Sequence, residues 1–412
     1  MWKNELIRSL CGILLILLPV LLNAQSADTL SWRASLLRND GKTIDFILES
    51  FAQSGQTMYH IVNGKERLLI NEIQRSGDST FITLPFFNSV LRFKTTADTL
   101  SGIWVRNLTT HLSSMPFRAI PEKRRFDANH PPAHNISGSW ATRFYKKDNR
   151  IVPAVGEFVQ QNEMLTGTFI LPSGDYRFLE GVVSGDTLRL STFDGNHAFL
   201  FEAIISNDST IDEGRFYSGN AMVEQWTARL DPEARPDNRS VTHMREGEST
   251  LDFRFRSTDG KFISINDPVY KGKVVLVQLM GSWCPNCMDE TRFLSEYYSN
   301  NKQFEFEVIA LAYERTTDFD ASVKSLSRFQ ERFNIQYPIL VTEVSVNDSL
   351  KTEKTLPQLS EIKHFPTLIY IDKTGYVRKI QTGFRGPGSG IHHERFVQEF
   401  EQTLHKLLEE KP

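Results

Sequence analysis

Trp283-Cys284-Pro285-Asn286-Cys287 is the stretch that decides how the C-terminal part of this chain folds. An apolar run from Lys273 to Met280 precedes it, and a segment with helical character, Met288 to Ser299, follows it. The predicted order is therefore a buried strand, a short turn, two cysteines and a helix. A cysteine pair in this setting is typical of a redox-active site rather than of a purely structural crosslink.

The positions of the two cysteines predict different roles. Proline is favoured at the first position of a helix, so Pro285 places Cys284 at the N-cap and Cys287 one turn in, near enough for a disulfide. The positive end of the helix favours Cys284 as the attacking thiolate, and Cys287 then resolves the mixed disulfide. Glu290 shares the face of Cys287, and we expect this carboxyl to be partly buried, to have a raised pKa and to exchange a proton with Cys287.

A second motif, His364-Phe365-Pro366-Thr367, precedes a late strand, and its Phe365-Pro366 bond can be cis. We expect this turn to lie before an edge-accessible strand, where its exposed backbone pairs with an extended client. The predicted substrate-binding residues are therefore Trp283 and Pro285 at the cysteines, with Phe365 and Pro366 at this turn.

The stretch from Val274 to Leu294, with its Trp-Cys-Pro-x-Cys motif and the following Glu, resembles the TlpA/ResA-like thioredoxin family of exported thiol–disulfide oxidoreductases. Pro366-Thr367 matches the cis-proline before Thr of that family, and the hairpin from Asp252 to Ile265 and the helical insert from Phe319 to Phe333 also fit it. The resemblance covers about Gly247 to Glu410. It implies an α/β thioredoxin-like C-terminal domain and a protein thiol–disulfide oxidoreductase.

The sequence departs from that family at three places. Thr291-Arg292-Phe293 follows Glu290 where family members commonly have proline, so the helix is expected to lack a kink. Gln278 stands where thioredoxin has a buried Asp, which leaves Glu290 as the proton carrier. Pro285-Asn286 lacks the His found between the cysteines of strongly oxidising relatives, and this absence favours a reductase.

Other interpretations of the cysteine pair are less well supported. A zinc site needs two more soft ligands, and Cys11 is the one cysteine outside the pair. A purely structural disulfide over a four-residue loop would constrain little of the unfolded chain. A peroxiredoxin-like peroxidase would have a Pro-x-x-x-Thr-x-x-Cys run, which Cys284 lacks. We therefore predict no metal and no cofactor, and we expect protein clients with disulfides or thiols and a redox partner protein.

The composition is that of a soluble globular protein with two or three domains. The chain has 412 residues, of which 24% are charged and 40% hydrophobic, and its formal net charge is -3. That charge, without a long basic block, argues against a nucleic acid as partner.

The N-terminus indicates export. Lys3 and Arg8 precede an apolar run, Gly12 to Leu22, which ends near Ala24. This pattern predicts a secretory signal peptide over residues 1–24 and a periplasmic protein, with an uncleaved anchor in the inner membrane as the alternative.

An all-β N-terminal region is predicted next, in two copies over residues 25–121 and 136–230. Short alternating runs such as Arg67 to Ile73 are separated by turn signals, and Asn63-Gly64 is the clearest hairpin signal. Trp32 and Trp140 lie 108 positions apart, and Asp78 and Asp186 share this offset. The offset predicts a duplicated small barrel or sandwich, or two copies that share one core. We find no catalytic constellation there, which leaves open a binding module to which the redox domain is accessory.

A polar, proline-containing stretch predicts a linker over residues 231–246, and strands alternating with helices predict an α/β domain over residues 247–412. The glycine-rich loop from Gly383 to Gly390 is interpreted as structural, because it lacks the Lys-Ser/Thr of a phosphate loop. His392-His393 is expected at the surface.

Overall fold

The computed structural model describes residues 29–84, 89–107, 112–236 and 242–411. The predicted signal peptide lies outside these residues, as does part of the predicted linker. Among the described residues, no helix has both the length and the apolar character needed to cross a membrane.

The first β sheet is a meander that turns back on itself. Its nine strands are β1 Leu30–Leu37, β2 Thr43–Gln53, β3 Gln56–Asn63, β4 Glu66–Ile70, β5 Ile73–Ser76, β6 Ser79–Leu84, β7 Ser89–Thr96, β8 Thr99–Asn107 and β9 Leu112–Pro121. Their order is β4-β3-β2-β1-β9-β8-β7-β6-β5, so β1 pairs with β9 and the sheet is a barrel left open between β4 and β5. Buried and exposed residues alternate along β9, as expected when one face of a strand covers a core.

The predicted run from Arg67 to Ile73 is two strands rather than one. β4 ends at Ile70 and β5 begins at Ile73, and these strands lie at opposite ends of the sheet order. The predicted hairpin at Asn63-Gly64 is confirmed, because β3 and β4 pair with Asn63 opposite Glu66. Gly64 has a φ of +56°, a conformation that glycine adopts without steric cost.

The second sheet repeats this arrangement and closes. Its strands are β10 Gly138–Tyr145, β11 Ile151–Gln161, β12 Met164–Leu171, β13 Gly174–Asp175, β14 Leu179–Ser184, β15 Thr187–Phe193, β16 Ala198–Asn207, β17 Thr210–Ser218 and β18 Met222–Leu230. β10 pairs with β18, as β1 pairs with β9, and β12 pairs with both β11 and β14. The sheet is therefore a closed barrel, with the two-residue β13 attached to β12.

The two sheets share the offset that the sequence indicated. Leu30 and Gly138, which begin β1 and β10, are 108 positions apart, and the same offset separates the bounds of β2 from those of β11 and the bounds of β3 from those of β12. Trp32 faces Leu48 across β1 and β2, and Trp140 faces Gly156 at the same offset. This recurrence is what a duplicated unit predicts, and the all-β region of barrel-like sheets is confirmed.

Part of the second barrel packs into the core of the first. Phe193 lies 4.4 Å from Phe46 and 5.2 Å from Trp104 between ring centroids. The connector after β9 adds a buried arginine, Arg125, whose guanidinium donates to the carbonyls of Ser191 in one barrel and of Val62 in the other. These contacts join the barrels, because the buried guanidinium finds carbonyl acceptors on both of them.

The C-terminal domain has a seven-stranded mixed sheet with helices. Its elements are β19 Arg254–Ser257, β20 Phe262–Ser264, β21 Val274–Met280, α1 Pro285–Asn300, β22 Phe306–Ala312, α2 Phe319–Arg332, β23 Ile339–Val341, α3 Lys351–Thr355, β24 Thr367–Ile371, β25 Val377–Thr382 and α4 Ile391–Glu409. The strand order is β20-β19-β23-β22-β21-β24-β25, and β21 is buried along its whole length, as its apolar run predicted. The short helix α3 was not predicted from the sequence.

Candidate active site

The two cysteines lie at the start of α1 and are joined by a disulfide. Cys284 is the N-cap residue, Pro285 occupies the first turn, and the Cα atoms of Cys284 and Cys287 are 5.2 Å apart. The backbone N–H of Cys287 donates to Sγ of Cys284 at 3.2 Å. A helix N-terminus that donates to this sulfur stabilises negative charge on it, so the geometry favours a thiolate at Cys284 after reduction. Cys287 is fully buried and Cys284 is 5% exposed.

Glu290 is buried on the same helix, three residues after Cys287. Its Oε2 accepts a hydrogen bond of 2.9 Å from Nε2 of Gln278, which also donates to Oγ1 of Thr291 at 3.1 Å. Burial raises the pKa of Glu290 to about 8, and the Gln278 hydrogen bond opposes this rise in part. A carboxyl with such a pKa can both hold and release a proton near neutral pH.

The bond between Phe365 and Pro366 is cis. The carbonyl oxygen of Phe365 lies 3.6 Å from Sγ of Cys284, and its ring lies 5.9 Å from the ring of Trp283. Nε1 of Trp283 donates to the carbonyl of Tyr313 at 2.8 Å, which fixes the indole beside the cysteine. The expectation of an edge-accessible strand was wrong. β24 is an inner strand with β21 on one side and β25 on the other, because the chain turns back after Asp372 to form β25.

The second barrel covers the start of α1. Nη1 of Arg177 donates to the carbonyl of Pro285 at 2.9 Å, and Nδ2 of Asn286 donates to the carbonyl of Asp175 at 3.1 Å. Both residues between the cysteines therefore contact the short segment around β13. These two hydrogen bonds, each from a side chain to a backbone carbonyl, hold the Cys-x-x-Cys turn against the barrel.

Arg177 also anchors a buried ion-pair network. Its guanidinium contacts Asp289 of α1 at 2.7 Å and Glu66 of the first barrel, and these three side chains are 4 to 8% exposed. Although burial disfavours the charge, Asp289 and Glu66 hold the pKa of Arg177 above its usual value. Both barrels and the helix with the cysteines are thus joined at one arginine, and removing it would leave two buried carboxylates uncompensated.

Two further contacts join the C-terminal domain to the second barrel. Gly386, in the glycine-rich loop, donates its N–H to Asp175 at 2.6 Å, so this loop forms part of the contact between the domains. Burial and the nearby Asp289 raise the pKa of Asp175 to about 6. His392 is not at the surface as expected. It is 4% exposed and its Nε2 lies 2.7 Å from Glu157 of β11, because α4 begins against the barrel.

A cavity of about 410 Å³ opens in front of Cys284 and is walled by all three units. The first barrel contributes Arg106, and the C-terminal domain contributes Trp283, Pro285, Asn286, Arg315 and Phe365. The second barrel contributes two segments, residues 171–177 and the turn between β15 and β16. This volume lies within the range of small-molecule binding sites.

The structure brings most of the predicted site residues together. Cys284, Trp283, Pro285 and Phe365 line the cavity, whereas Cys287 and Glu290 lie behind it in the domain core and Pro366 follows Phe365 outside the lining.

Sequence reasoning missed the contribution of the barrels, of which Asp175 and Arg177 are the clearest examples. One signal was present: the hairpin turn Pro172-Ser173-Gly174 departs by two residues from the repeat offset. In the structure, β13 has two residues where β4 has five, and the freed segment turns towards α1.

Comparison with known proteins agrees with this geometry for the C-terminal part of the chain. The Redoxin family profile matches residues 245–393. The thiol–disulfide oxidoreductase ResA of Bacillus thuringiensis is 29% identical over 134 residues, which are 32% of this chain and 68% of that protein. ResA of Bacillus subtilis is 25% identical over 140 residues, which are 34% of this chain and 69% of that protein.

Among solved structures, a putative protein disulfide isomerase from Bacteroides thetaiotaomicron covers 41% of this chain and 93% of its own, with 21% identity and a TM-score of 0.31. The prediction of a thioredoxin-like domain of the TlpA/ResA type at the C-terminal end is confirmed, and so is its thiol–disulfide oxidoreductase class.

Proposed function

We propose that this protein is an exported thiol–disulfide oxidoreductase that exchanges the Cys284–Cys287 disulfide with protein clients, with net reduction of the client. One observation carries the proposal: a disulfide-bonded pair lies at the start of α1, and its N-terminal sulfur accepts an N–H and faces a cavity. A low-pKa thiolate with access to a substrate is the reactive species in thiol–disulfide exchange.

The proposed exchange takes place in two steps. The thiolate of Cys284 attacks one sulfur of the client disulfide, the S–S bond of the client breaks, and the released client thiolate takes a proton from water. Cys287 then loses its proton to the carboxylate of Glu290 and attacks the sulfur of Cys284, which releases the second client thiolate. Two electrons pass to the client, and a redox partner protein with a dithiol returns the enzyme to its reduced form.

The residues proposed to bind the client surround Cys284. Trp283 and Phe365 form an aromatic wall beside the sulfur, and Pro285 presents the turn between the cysteines. Pro366 fixes the direction of the backbone at Phe365, whose carbonyl lies next to Sγ of Cys284. An aromatic wall binds apolar side chains next to a client cysteine and excludes water from the reacting sulfurs.

The direction of electron flow is proposed from the dipeptide between the cysteines. Pro285-Asn286 supplies no His to stabilise the thiolate further, so the disulfide form is less easily reduced than in strongly oxidising relatives. The reduction potential of the Cys284–Cys287 couple is the direct measurement. A potential near that of thioredoxin, about −270 mV, supports the reductase, and one near about −120 mV contradicts it.

Export is proposed from the N-terminal sequence, Lys3 and Arg8 followed by the apolar run Gly12 to Leu22. We propose cleavage after residue 24 and a periplasmic location. N-terminal sequencing of the protein recovered from cell fractions tests this: a cytoplasmic protein that retains its first residues contradicts export, and a membrane-bound uncleaved form indicates the anchor.

The activity itself is tested with the full-length chain. The wild-type protein is expected to reduce the interchain disulfides of insulin in the presence of a dithiol donor, and Cys284→Ser to lose this activity. Glu296→Gln, at an exposed position of α1, is the matched control for handling and folding. A wild-type protein that neither reduces insulin nor oxidises a reduced peptide would refute the proposed function.

The alternative is a β-region binding module to which the redox domain is accessory, and one observation bears on it. Arg106 and residues 171–177 of the barrels line the same cavity as Cys284. This shared lining favours one site built by both parts over two separate functions. Variants of the barrel wall that change client turnover would support the shared site, and variants without effect would favour separate functions.

A further inference from the structure

Access to Cys284 is limited by the barrels. The residue is 5% exposed, and its sulfur faces a cavity of about 410 Å³ with walls from three parts of the chain. Arg177 and Asn286 hold the barrel wall in place through bonds to the carbonyls of Pro285 and Asp175. The cavity therefore has room for a small molecule or for a short extended segment of a client.

Two arginines give the cavity a positive charge. Neither Arg106 nor Arg315 has a carboxylate within salt-bridge distance in the described part of the chain. Nη1 of Arg106 donates to the carbonyl of Asn196, and Arg315 lies over the ring of Trp283 at 5.4 Å. Burial and the repulsion of Arg315 lower the pKa of Arg106, and the nearby Asp194 opposes this shift in part. An anion between them would relieve that repulsion.

The two acidic residues of the cavity wall are hydrogen-bonded within the protein, and the charge of Asp194 still acts on Arg106. Asp194 accepts the N–H groups of Asn196 and His197 and contacts the ring of His197 at 3.2 Å. Asp175 accepts the N–H groups of Arg177 and Gly386. Carboxylates with such internal donors are satisfied within the protein.

The wall also holds an acceptor without a partner. Asn196 is 4% exposed, and among the described residues its Oδ1 has no hydrogen-bond partner, while its Nδ2 lies 3.4 Å from the carbonyl of Trp283. A buried acceptor that lacks a donor is costly, and an N–H of a bound ligand would satisfy it. The cavity thus offers guanidinium donors for a carboxylate, an acceptor for an amide, and a reactive sulfur.

We propose that this cavity binds a disulfide of limited size that carries a carboxylate and an amide close to its sulfur, as a cysteine-containing acidic peptide does. The ligand is either a free low-molecular-weight disulfide or a short acidic segment of a client. Arg106 and Arg315 bind the carboxylate, and Asn196 accepts the amide N–H. This inference rests on the proposed function. In the reaction the two thiols of the reduced protein become the Cys284–Cys287 disulfide, and the ligand disulfide becomes two thiols.

Three small disulfides of similar size and different charge test the inference. These are 3,3′-dithiodipropionate, which is anionic, 2-hydroxyethyl disulfide, which is neutral, and cystamine, which is cationic. The measured quantity is the second-order rate constant for oxidation of the reduced full-length protein. We expect the anionic disulfide to react faster than the neutral one and the cationic one to react most slowly, with a ranking that weakens as the salt concentration rises.

Substitution of the arginines identifies the source of the ranking. Arg106→Gln and Arg315→Gln are each expected to lower the anionic-to-neutral rate ratio about tenfold, the effect of one charge-assisted hydrogen bond. The ratio corrects for any general change in the reactivity of Cys284. The matched control is Arg143→Gln, at an exposed position of β10 outside the cavity, which should keep the wild-type ratio. Because the two arginines lie in different units, a misfolded variant of one still leaves the other as a test.

The outcomes separate this inference from the proposed function. If none of the three disulfides oxidises the reduced protein although the protein reduces insulin, this inference is overturned; if insulin is not reduced either, the proposed function fails. If the neutral disulfide reacts but the anionic one shows no preference, or if the preference survives in both arginine variants, this inference alone is overturned. A linear acidic peptide disulfide that reacts as fast as the small anion indicates a client segment as the source, and exclusion of the peptide indicates a free small disulfide.

Discussion

Substitution of Glu290 by glutamine should change how the stability of the C-terminal domain depends on pH. The carboxyl is buried, and Gln278 donates one hydrogen bond to it. Its pKa rises from the ordinary value of 4.5 to about 8 on folding, so between these values the folded state holds a proton that the unfolded state has released. Stability is therefore lost as the pH rises through this window, and Glu290→Gln, which carries no titrating proton, removes that loss.

The size of the effect follows from the two pKa values. Between pH 5 and pH 7, linkage lowers the free energy of unfolding of the wild type by about 2.5 kcal/mol relative to Glu290→Gln. By pH 8.5 it is lowered by roughly 1 kcal/mol more, and above this pH the difference between the two proteins changes little. The other buried carboxyls with raised pKa, Asp175 among them, titrate equally in both proteins and cancel in the difference. The substituted amide keeps an oxygen to accept the Gln278 hydrogen bond, so the pH-independent cost should be small.

The assay is urea unfolding of the oxidised full-length protein. Unfolding is monitored by amide hydrogen exchange in peptides that cover Val274–Met280. Oxidised protein is used because its disulfide-bonded cysteines do not titrate. Glu296→Gln, on the exposed face of the same helix, is the matched control and should show the wild-type pH dependence. A stability difference between wild type and Glu290→Gln that stays constant from pH 5 to pH 8.5 would refute the shifted pKa.

Three further perturbations have defined outcomes. Cys287→Ala should accumulate mixed disulfides with clients on non-reducing gels, and Cys284→Ser should accumulate none; trapping by the second variant would reverse the assigned roles. Arg177→Met should lower the free energy of unfolding by on the order of 3–5 kcal/mol and speed the alkylation of reduced Cys284 by iodoacetamide, because two buried carboxylates lose their partner and the barrel wall loosens. Arg143→Met is its exposed control, and an unchanged alkylation rate would contradict the role of the network. Gly181→Ala should cost about 1–3 kcal/mol and lower the melting temperature of the β region, because its Cβ would overlap the backbone of β15; an unchanged melting temperature would contradict this close packing.

Local patterns in the sequence were enough to predict the redox domain. The continuous apolar run before the cysteines predicted β21, and Pro285 predicted a helix with Cys284 at its N-cap. Such elements are readable because strand burial, helix capping and proline geometry depend on residues only a few positions apart. The repeat offset of 108 residues is also found between the bounds of corresponding strands, because two copies of one sequence pattern fold in the same way.

Errors arose where distant strands or domains meet. The run from Arg67 to Ile73 was predicted as one strand, although its two halves pair with opposite ends of the sheet. β24 was expected at an edge, and His392 at the surface. In each case the local pattern is compatible with both outcomes, and the choice depends on which distant segment packs against it.

The Cys284–Cys287 pair, its place on a helix and its redox chemistry are thus determined by the sequence itself. The surroundings of the pair are decided by the tertiary structure alone. In the sequence, Arg106 and Arg177 look like ordinary residues of a β region, yet folding brings both to the lining of the cavity that Cys284 faces. The physical reason is that contacts between residues more than a hundred positions apart carry no local periodicity, so they become visible only when the barrels pack against α1.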